Sequence, residues 1–275
     1  MIKRILVALS GTPCTSSAIT HSIELAKLHN AALTGVTVFD PDRLQDVGPV
    51  PLGGATAAHE LGEHRMALAK EQIEDSITEF EKACSDAEVK NRVIRETGDS
   101  AKCLLNDWRY HDLTVIGLRG LFEYGVLHDH GDIVLDVIGD GLRPLLAVSE
   151  QYRPIQSALV AYDGSPIAAR AMKAFCMLDI WKPMPTTVAC FKGQDGDANR
   201  LLSDAASYLT SHAIPTTTKR IEEKPLNAIL EEMYACNADL LVMGAAKRMR
   251  LGRKLLGDTA RFALENSTRP IFLHH

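Results

Sequence analysis

The sequence predicts a tandem α/β architecture of two repeated, doubly wound, parallel sheets with five strands each. Three observations predict it. The chain has 275 residues, and domains usually run to roughly 100–200. Its two parts repeat the same signals in the same order. Each part alternates short apolar runs with helix-like stretches, the pattern of a parallel sheet flanked by helices.

The repeat has four anchors. Lys3-Arg-Ile-Leu-Val-Ala-Leu-Ser-Gly-Thr12 matches Gln156-Ser-Ala-Leu-Val-Ala-Tyr-Asp-Gly-Ser165. Asp112-Leu-Thr-Val-Ile-Gly117 matches Asp239-Leu-Leu-Val-Met-Gly244. Gly131-Asp132 matches Gly257-Asp258, and Arg143–Val148 matches Arg269–His274. The offset drifts from 153 to 126 because the first copy has a longer middle, at about residues 40–90. The boundary falls near Glu150–Pro154, which gives domains 1–150 and 151–275.

In copy one the strands are Ile5–Leu9, Leu33–Phe39, Val89–Arg95, Leu113–Gly117 and Leu145–Val148. Ile5–Leu9 and Leu113–Ile116 are almost wholly apolar, as strands covered on both faces must be. Thr15–His29 carries Ala18, Ile19, Ile23, Leu25 and Ala26 on one helical face. Ala57–Cys84 is a long charged helix, with Ser100–Tyr110 and Asp132–Ile138 as further helices. In copy two the strands are Ala158–Tyr162, Thr187–Phe191, Thr216–Ile221, Leu240–Met243 and Ile271–Leu273. A helix, Ala260–Leu264, follows Gly257.

Composition excludes several classes. Apolar residues are 46% and charged residues 24%, so neither a disordered polyelectrolyte nor a collagen-like chain fits. No apolar run approaches the ~20 residues of a membrane helix. The apolar run at the start, Ile5–Leu9, is five residues, short of the ~7–15 of a secretory leader. The six cysteines, Cys14, Cys84, Cys103, Cys176, Cys190 and Cys236, form no CxxC pair. Scattered thiols suit a reducing compartment, so a cytoplasmic protein without a membrane partner is expected. Residues 1–150 carry a net charge of −9 and residues 151–275 one of +4, too weakly basic to imply nucleic acid.

Ligands of such sheets sit outside the carboxyl ends of the strands. The loops to inspect are therefore Ser10–Thr12, Asp163–Ser165, and those after Gly117 and Gly244. After Gly244 come Ala245, Ala246 and a run in which five of the eight residues Lys247–Lys254 are basic. Gly257 then opens a helix, and a helix N-terminus offers free N–H groups that suit a phosphate.

The pattern of Gly244, two residues, Lys247, nine residues, then Gly257 resembles the nucleotide loop of the universal stress protein family. Val160-Ala-Tyr-Asp163-Gly-Ser165, Ala238–Gly244 and the ending Arg269-Pro-Ile-Phe-Leu273 are similar to the same family, whose tandem members carry two five-stranded domains. The resemblance implies an adenine nucleotide alpha hydrolase-like fold and a bound ATP or other adenine nucleotide, with Mg2+ as an optional companion. It implies that Asp163 holds the ribose or adenine edge, that Phe191 lines the adenine pocket, and that Met243, Gly244 and Ala245 carry the ribose and phosphate path. Lys247, Arg248, Gly257, Asp258 and Thr259 then form the phosphate end. It also implies pairing of the two halves through Leu145–Val148 and Ile271–Leu273. A homodimer and a protein partner are further expectations, with a regulatory or stress-protective role and at most weak ATP hydrolysis.

Departures from the family pattern sit at both sites. In copy two, Lys247 replaces the second motif glycine and Asp258 the Ser/Thr after the last one. A carboxylate there caps its own helix and repels phosphate. In copy one the corresponding site is Ser10, Val38, Gly117, Gly120 and Gly131, with Ser10 in place of the acid and one residue too many before Gly131. Its loop is acidic, so copy one is expected to be degenerate for ATP. Two alternatives stand beside nucleotide binding. One is an interaction scaffold with decayed sites. The other is a metal-dependent enzyme using His128, Asp129, His130 and Asp132, a cluster more often a polar loop than a metal site. No P-loop or catalytic triad stands out by spacing, and no metal ligands are assigned.

Overall fold

The computed structural model describes residues 2–127, 134, 137, 138, 141, 144–181, 183–191, 197–245, 247–250 and 253–274, with backbone alone described at 247–250 and 253–255. The first half runs β1 (Arg4–Ala8), α1 (Thr15–His29), β2 (Ala32–Phe39), α2 (Pro41–Gln45), α3 (Ala55–Asp86), β3 (Asn91–Thr97), α4 (Ser100–Trp108), β4 (Leu113–Gly117) and β5 (Leu145–Val148). The second runs β6 (Ala158–Ala161), α5 (Pro166–Met177), β7 (Thr186–Phe191), α6 (Ala198–Ser211), β8 (Thr216–Ile221), α7 (Pro225–Ala235), β9 (Leu240–Gly244), β10 (Lys247–Arg250), β11 (Arg253–Leu256), α8 (Asp258–Asn266) and β12 (Ile271–His274).

Ten strands form one sheet in the order β3-β2-β1-β4-β5-β12-β9-β6-β7-β8. Each half is parallel throughout, and its order doubles back beside its first strand. The two parallel five-stranded halves and their pairing through Leu145–Val148 and Ile271–Leu273 are as expected, and that pairing makes them one continuous sheet. β5 and β12 pair antiparallel, with Ile271 opposite Ala147, Phe272 opposite Leu146 and Leu273 opposite Leu145. An uncovered edge strand leaves a row of unpaired N–H and C=O groups, and this pairing removes both inner edges at once. Trp181 seals the seam edge-on to Phe272, with ring centroids 5.8 Å apart. His29 Nε2 also reaches the Ile180 carbonyl, 2.8 Å away, across the two halves.

The core lies along the middle of this sheet. Every residue of β4 and β5 is buried, which explains their continuous apolar runs. The outer strands β3 and β8 are partly to fully exposed and carry Asn, Arg, Thr and Lys. α3 is longer than its apolar stripe suggests. Ala69, Ile73, Ile77, Phe80 and Cys84 recur at helical spacing and are buried, whereas its first turns are mostly exposed. The basic stretch expected as a loop is instead a hairpin, β10 against β11, in which Lys247 faces Leu256 and Arg250 faces Arg253. Among the described residues no helix is long and apolar enough to cross a membrane.

Candidate functional site

The sheet order has one switch point in each half, between β1 and β4 and between β6 and β9. Chains leave adjacent strand ends in opposite directions there, and a crevice opens between them. In the second half this crevice is a cavity of about 350 Å³. The ends of β6, β7 and β9 contribute Ala161, Phe191, Met243 and Gly244 to its wall.

Asp163 follows β6 and also lines the cavity, with its carboxylate exposed. Its Oδ1 accepts from the Ser165 N–H at 2.9 Å, a turn that Gly164 makes possible at φ +77. Ser165 then caps α5, its Oγ accepting from the Ala168 N–H at 3.2 Å. Gly244 is required by packing. A Cβ there would lie 2.7 Å from Ile167 Cγ2 and 2.9 Å from the Ile167 carbonyl carbon. The close approach of β9 to the start of α5 therefore needs a glycine.

Three helix starts line the cavity. They are Ile167 and Ala168 of α5, Pro225 and Leu226 of α7, and Asp258, Thr259 and Ala260 of α8. Neither α7 nor α8 has a side-chain N-cap, although α7 opens on Pro225, which has no N–H, and its Asn227 N–H donates to the Lys224 carbonyl at 3.0 Å. Helix starts carry partial positive charge. Lys224, exposed and immediately before α7, adds a full one. Two carboxylates, Asp163 and Asp258, oppose them. Burial, then the nearby Asp163 carboxylate, pushes the Cys190 thiol up from its ordinary value.

Seven of the expected residues are thus brought together: Asp163, Phe191, Met243, Gly244, Gly257, Asp258 and Thr259. Ala245 is not among the lining residues. It is fully buried, and its N–H donates to the His274 carbonyl at 2.9 Å. Lys247 and Arg248 begin β10, but their side chains lie outside the described residues. Lys224 escaped the sequence reading. The available signal was Pro225, since proline at a first helical position after a strand marks a helix start on the ligand side.

The first half is built on the same plan but closed. The bond from Leu9 N to Val36 O matches that from Tyr162 N to Ala189 O, both 2.9 Å, which sets Val38 opposite Phe191. Gly117 meets Cys14 as Gly244 meets Ile167, with a built Cβ 2.8 Å from Cys14 Cβ. Ser10 is buried, and its carbonyl accepts from the N–H groups of Glu123 and Tyr124, at 3.1 and 3.2 Å. Tyr124 is 1% exposed, and its hydroxyl accepts from the Val38 N–H at 3.0 Å. Gly120 turns at φ +78 to send Leu121–Tyr124 inward. Gly131 and the whole His128–Asp132 cluster lie outside the described residues. Among those described, no group of three His, Cys, Asp or Glu is placed to hold a metal.

The model of the universal stress protein family matches residues 1–134 and 189–274. The chain belongs to the universal stress protein family. A universal stress protein from Archaeoglobus fulgidus DSM 4304 matches in structure with TM-score 0.68 and 17% identity, over 98% of this chain and 95% of that one. A functionally unknown protein from Pseudomonas aeruginosa PAO1 matches at TM-score 0.57 and 13% identity, over 99% and 92%. A universal stress protein in complex with cAMP matches at TM-score 0.37 and 19% identity, over 45% of this chain and 98% of that one. No curated protein matches in sequence. At these identities the two full-length matches speak for the fold alone, and the family's two-segment match agrees with a tandem arrangement of the universal stress type.

Proposed function

We propose that this universal stress protein binds one adenine nucleotide, ATP or ADP, in its second half and acts as a nucleotide-controlled regulatory or stress-protective protein. The convergence of Asp163, Phe191, Met243, Gly244 and Gly257–Thr259 on one cavity carries the reading. The donor set fits a nucleoside phosphate. The Asp163 carboxylate accepts from ribose hydroxyls or an adenine amino group. Phe191 and Met243 offer apolar cover to a base. The uncapped starts of α7 and α8 and the Lys224 ammonium favour the phosphates. Mg2+ would enter with the nucleotide, and Asp258, a lining residue at the start of α8, would be its carboxylate ligand.

In this reading residues 1–150 and 151–275 are the two units, and the second is the ligand-binding one. The six cysteines, none of them joined in a disulfide, support a cytoplasmic setting. A nucleotide-independent scaffold is the second reading, favoured by Asp258 at the phosphate end and by the closed first half. Calorimetric titration with ATP, with and without Mg2+, separates them. Saturable binding lost in Asp163→Ala supports the nucleotide reading. No heat and no thermal stabilisation at millimolar ATP would leave the scaffold.

A further inference from the structure

The closed site of the first half is occupied by the chain's own aromatic ring. Tyr124 stands where the two halves' equivalences place the second half's cavity, beside Gly11 and the end of β2. A Cβ on Gly11, at φ +59, would lie 2.5 Å from Tyr124 Cδ1 and 2.8 Å from its Cα. The ring therefore rests directly on the turn that corresponds to Asp163-Gly164. Its oxygen accepts the Val38 N–H, a bond that a ring nitrogen of a base accepts equally well.

The fit is held rather than relaxed. Phe122 and Tyr124 both adopt left-handed backbone, at φ +53 and +48. Such residues cost about 1–2 kcal/mol each unless glycine. Arg43 latches the segment from α2, its Nη1 donating to the Leu121 carbonyl at 3.0 Å and to the Phe122 carbonyl at 3.4 Å. Beside the segment, Ser10 Oγ and Thr12 Oγ1 are buried without a hydrogen-bond partner among the described residues. The Tyr124 hydroxyl is engaged at the Val38 N–H and pairs with neither. A Ser10 or Thr12 hydroxyl left so costs about 1–3 kcal/mol, which a ligand richer in donors and acceptors would recover.

We infer that Tyr124 is a built-in pseudo-ligand, and that the first half holds a latent site for a nucleobase or nucleoside, masked by this one side chain. The nucleoside class follows from planarity, from the Val38 N–H and from the unpartnered hydroxyls. Phosphates are disfavoured, because the Glu123 carboxylate lies against Gly120, with oxygens 2.6 Å from where its Cβ would be. The inference rests on reading the second half as a nucleobase site, and the test keeps the two apart.

The test uses the full chain in an Asp163→Ala background, which weakens the second half about thirtyfold, the loss expected of one charged hydrogen bond. Tyr124→Gly removes the ring and relaxes the left-handed backbone. Adenosine and 4-methylphenol, the excised side chain, are the probes, read by calorimetry and thermal shift. Tyr124→Gly is expected to bind one more adenosine per chain than its Asp163→Ala parent, in competition with 4-methylphenol. Tyr124→Phe, which keeps the ring, is expected to bind none. A folded Tyr124→Gly chain that takes 4-methylphenol but not adenosine overturns the inference, because Tyr124 is then ordinary core. Should the glycine variant not fold, Tyr124→Asn is titrated with the same criteria, since asparagine tolerates left-handed backbone. ATP binding by the chain with Asp163 intact reports separately on the second half, so either reading can fail alone.

Discussion

The two switch points share a sheet order, a crowded glycine and a left-handed turn, yet one is open and the other filled. In the second half, Asp163 and Gly164 turn beside a cavity of about 350 Å³. In the first, Ser10 and Gly11 turn against Tyr124. What differs is the segment after the fourth strand. After Gly244 the chain runs out into the hairpin β10–β11. After Gly117 it folds back inward and buries Leu121, Phe122 and Tyr124. The scaffold supplies the position of a site, and the loop decides whether that position is vacant.

The largest expected effect tests the shared scaffold. Gly244→Val should destabilise the chain by about 3 kcal/mol, because overpacking against the Ile167 backbone has nowhere to relax. Gly117→Val should cost a similar amount against Cys14. Urea unfolding of the pair reads both. A neutral result at either position would break the equivalence.

Acid should act mainly through the first half. His21, 2% exposed, has its pKa lowered to about 4 by burial. Burial lowers that of His111 too, against the opposing bond to the Asp107 carbonyl. The unfolded chain takes up a proton below its ordinary value of 6.5, and the folded His21 does so only near 4. Stability should therefore fall as pH drops through that window and level off beneath it. The His21 share is about 3 kcal/mol. Thermal melts of His21→Leu should show a shallower pH slope, and an unchanged slope would refute the assignment. The equivalent position in the second half is Ala174, which has no such response.

Asp163→Ala should lower nucleotide affinity by about thirtyfold, the value of a charged hydrogen bond near 2 kcal/mol, with little change in melting temperature. Ser10→Ala in the first half should leave nucleotide affinity unchanged. Tyr124→Phe should cost about 1–2 kcal/mol of stability by stranding the Val38 N–H, measured in urea. Lys224→Ala has the smallest effect expected, a loss of roughly threefold for ATP and none for adenosine, shrinking as salt is raised.

The legible parts of this molecule are those set by periodicity. The almost wholly apolar runs Ile5–Leu9 and Leu113–Ile116 announced strands covered on both faces, and the repeated anchors announced two copies. Asp163, Gly244 and Gly257 were legible because a motif fixes their spacing. Tyr124 was not. Its burial depends on left-handed backbone at two non-glycine residues, which no hydrophobic period encodes. Lys224 reaches the cavity from the third strand's loop, where charge carries no spacing rule. The hairpin β10–β11 reads as a basic loop because its arginine- and lysine-rich sequence shows no apolar alternation.

The seam between β5 and β12 lies within one chain. Had the same seam joined two identical chains, any change that filled one pocket would have filled its twin and left the pair empty-handed. Covalent fusion lifts that symmetry. Within one chain one copy can be filled by internal packing while the other stays open, so the molecule carries a filled copy and an open one in permanent one-to-one ratio.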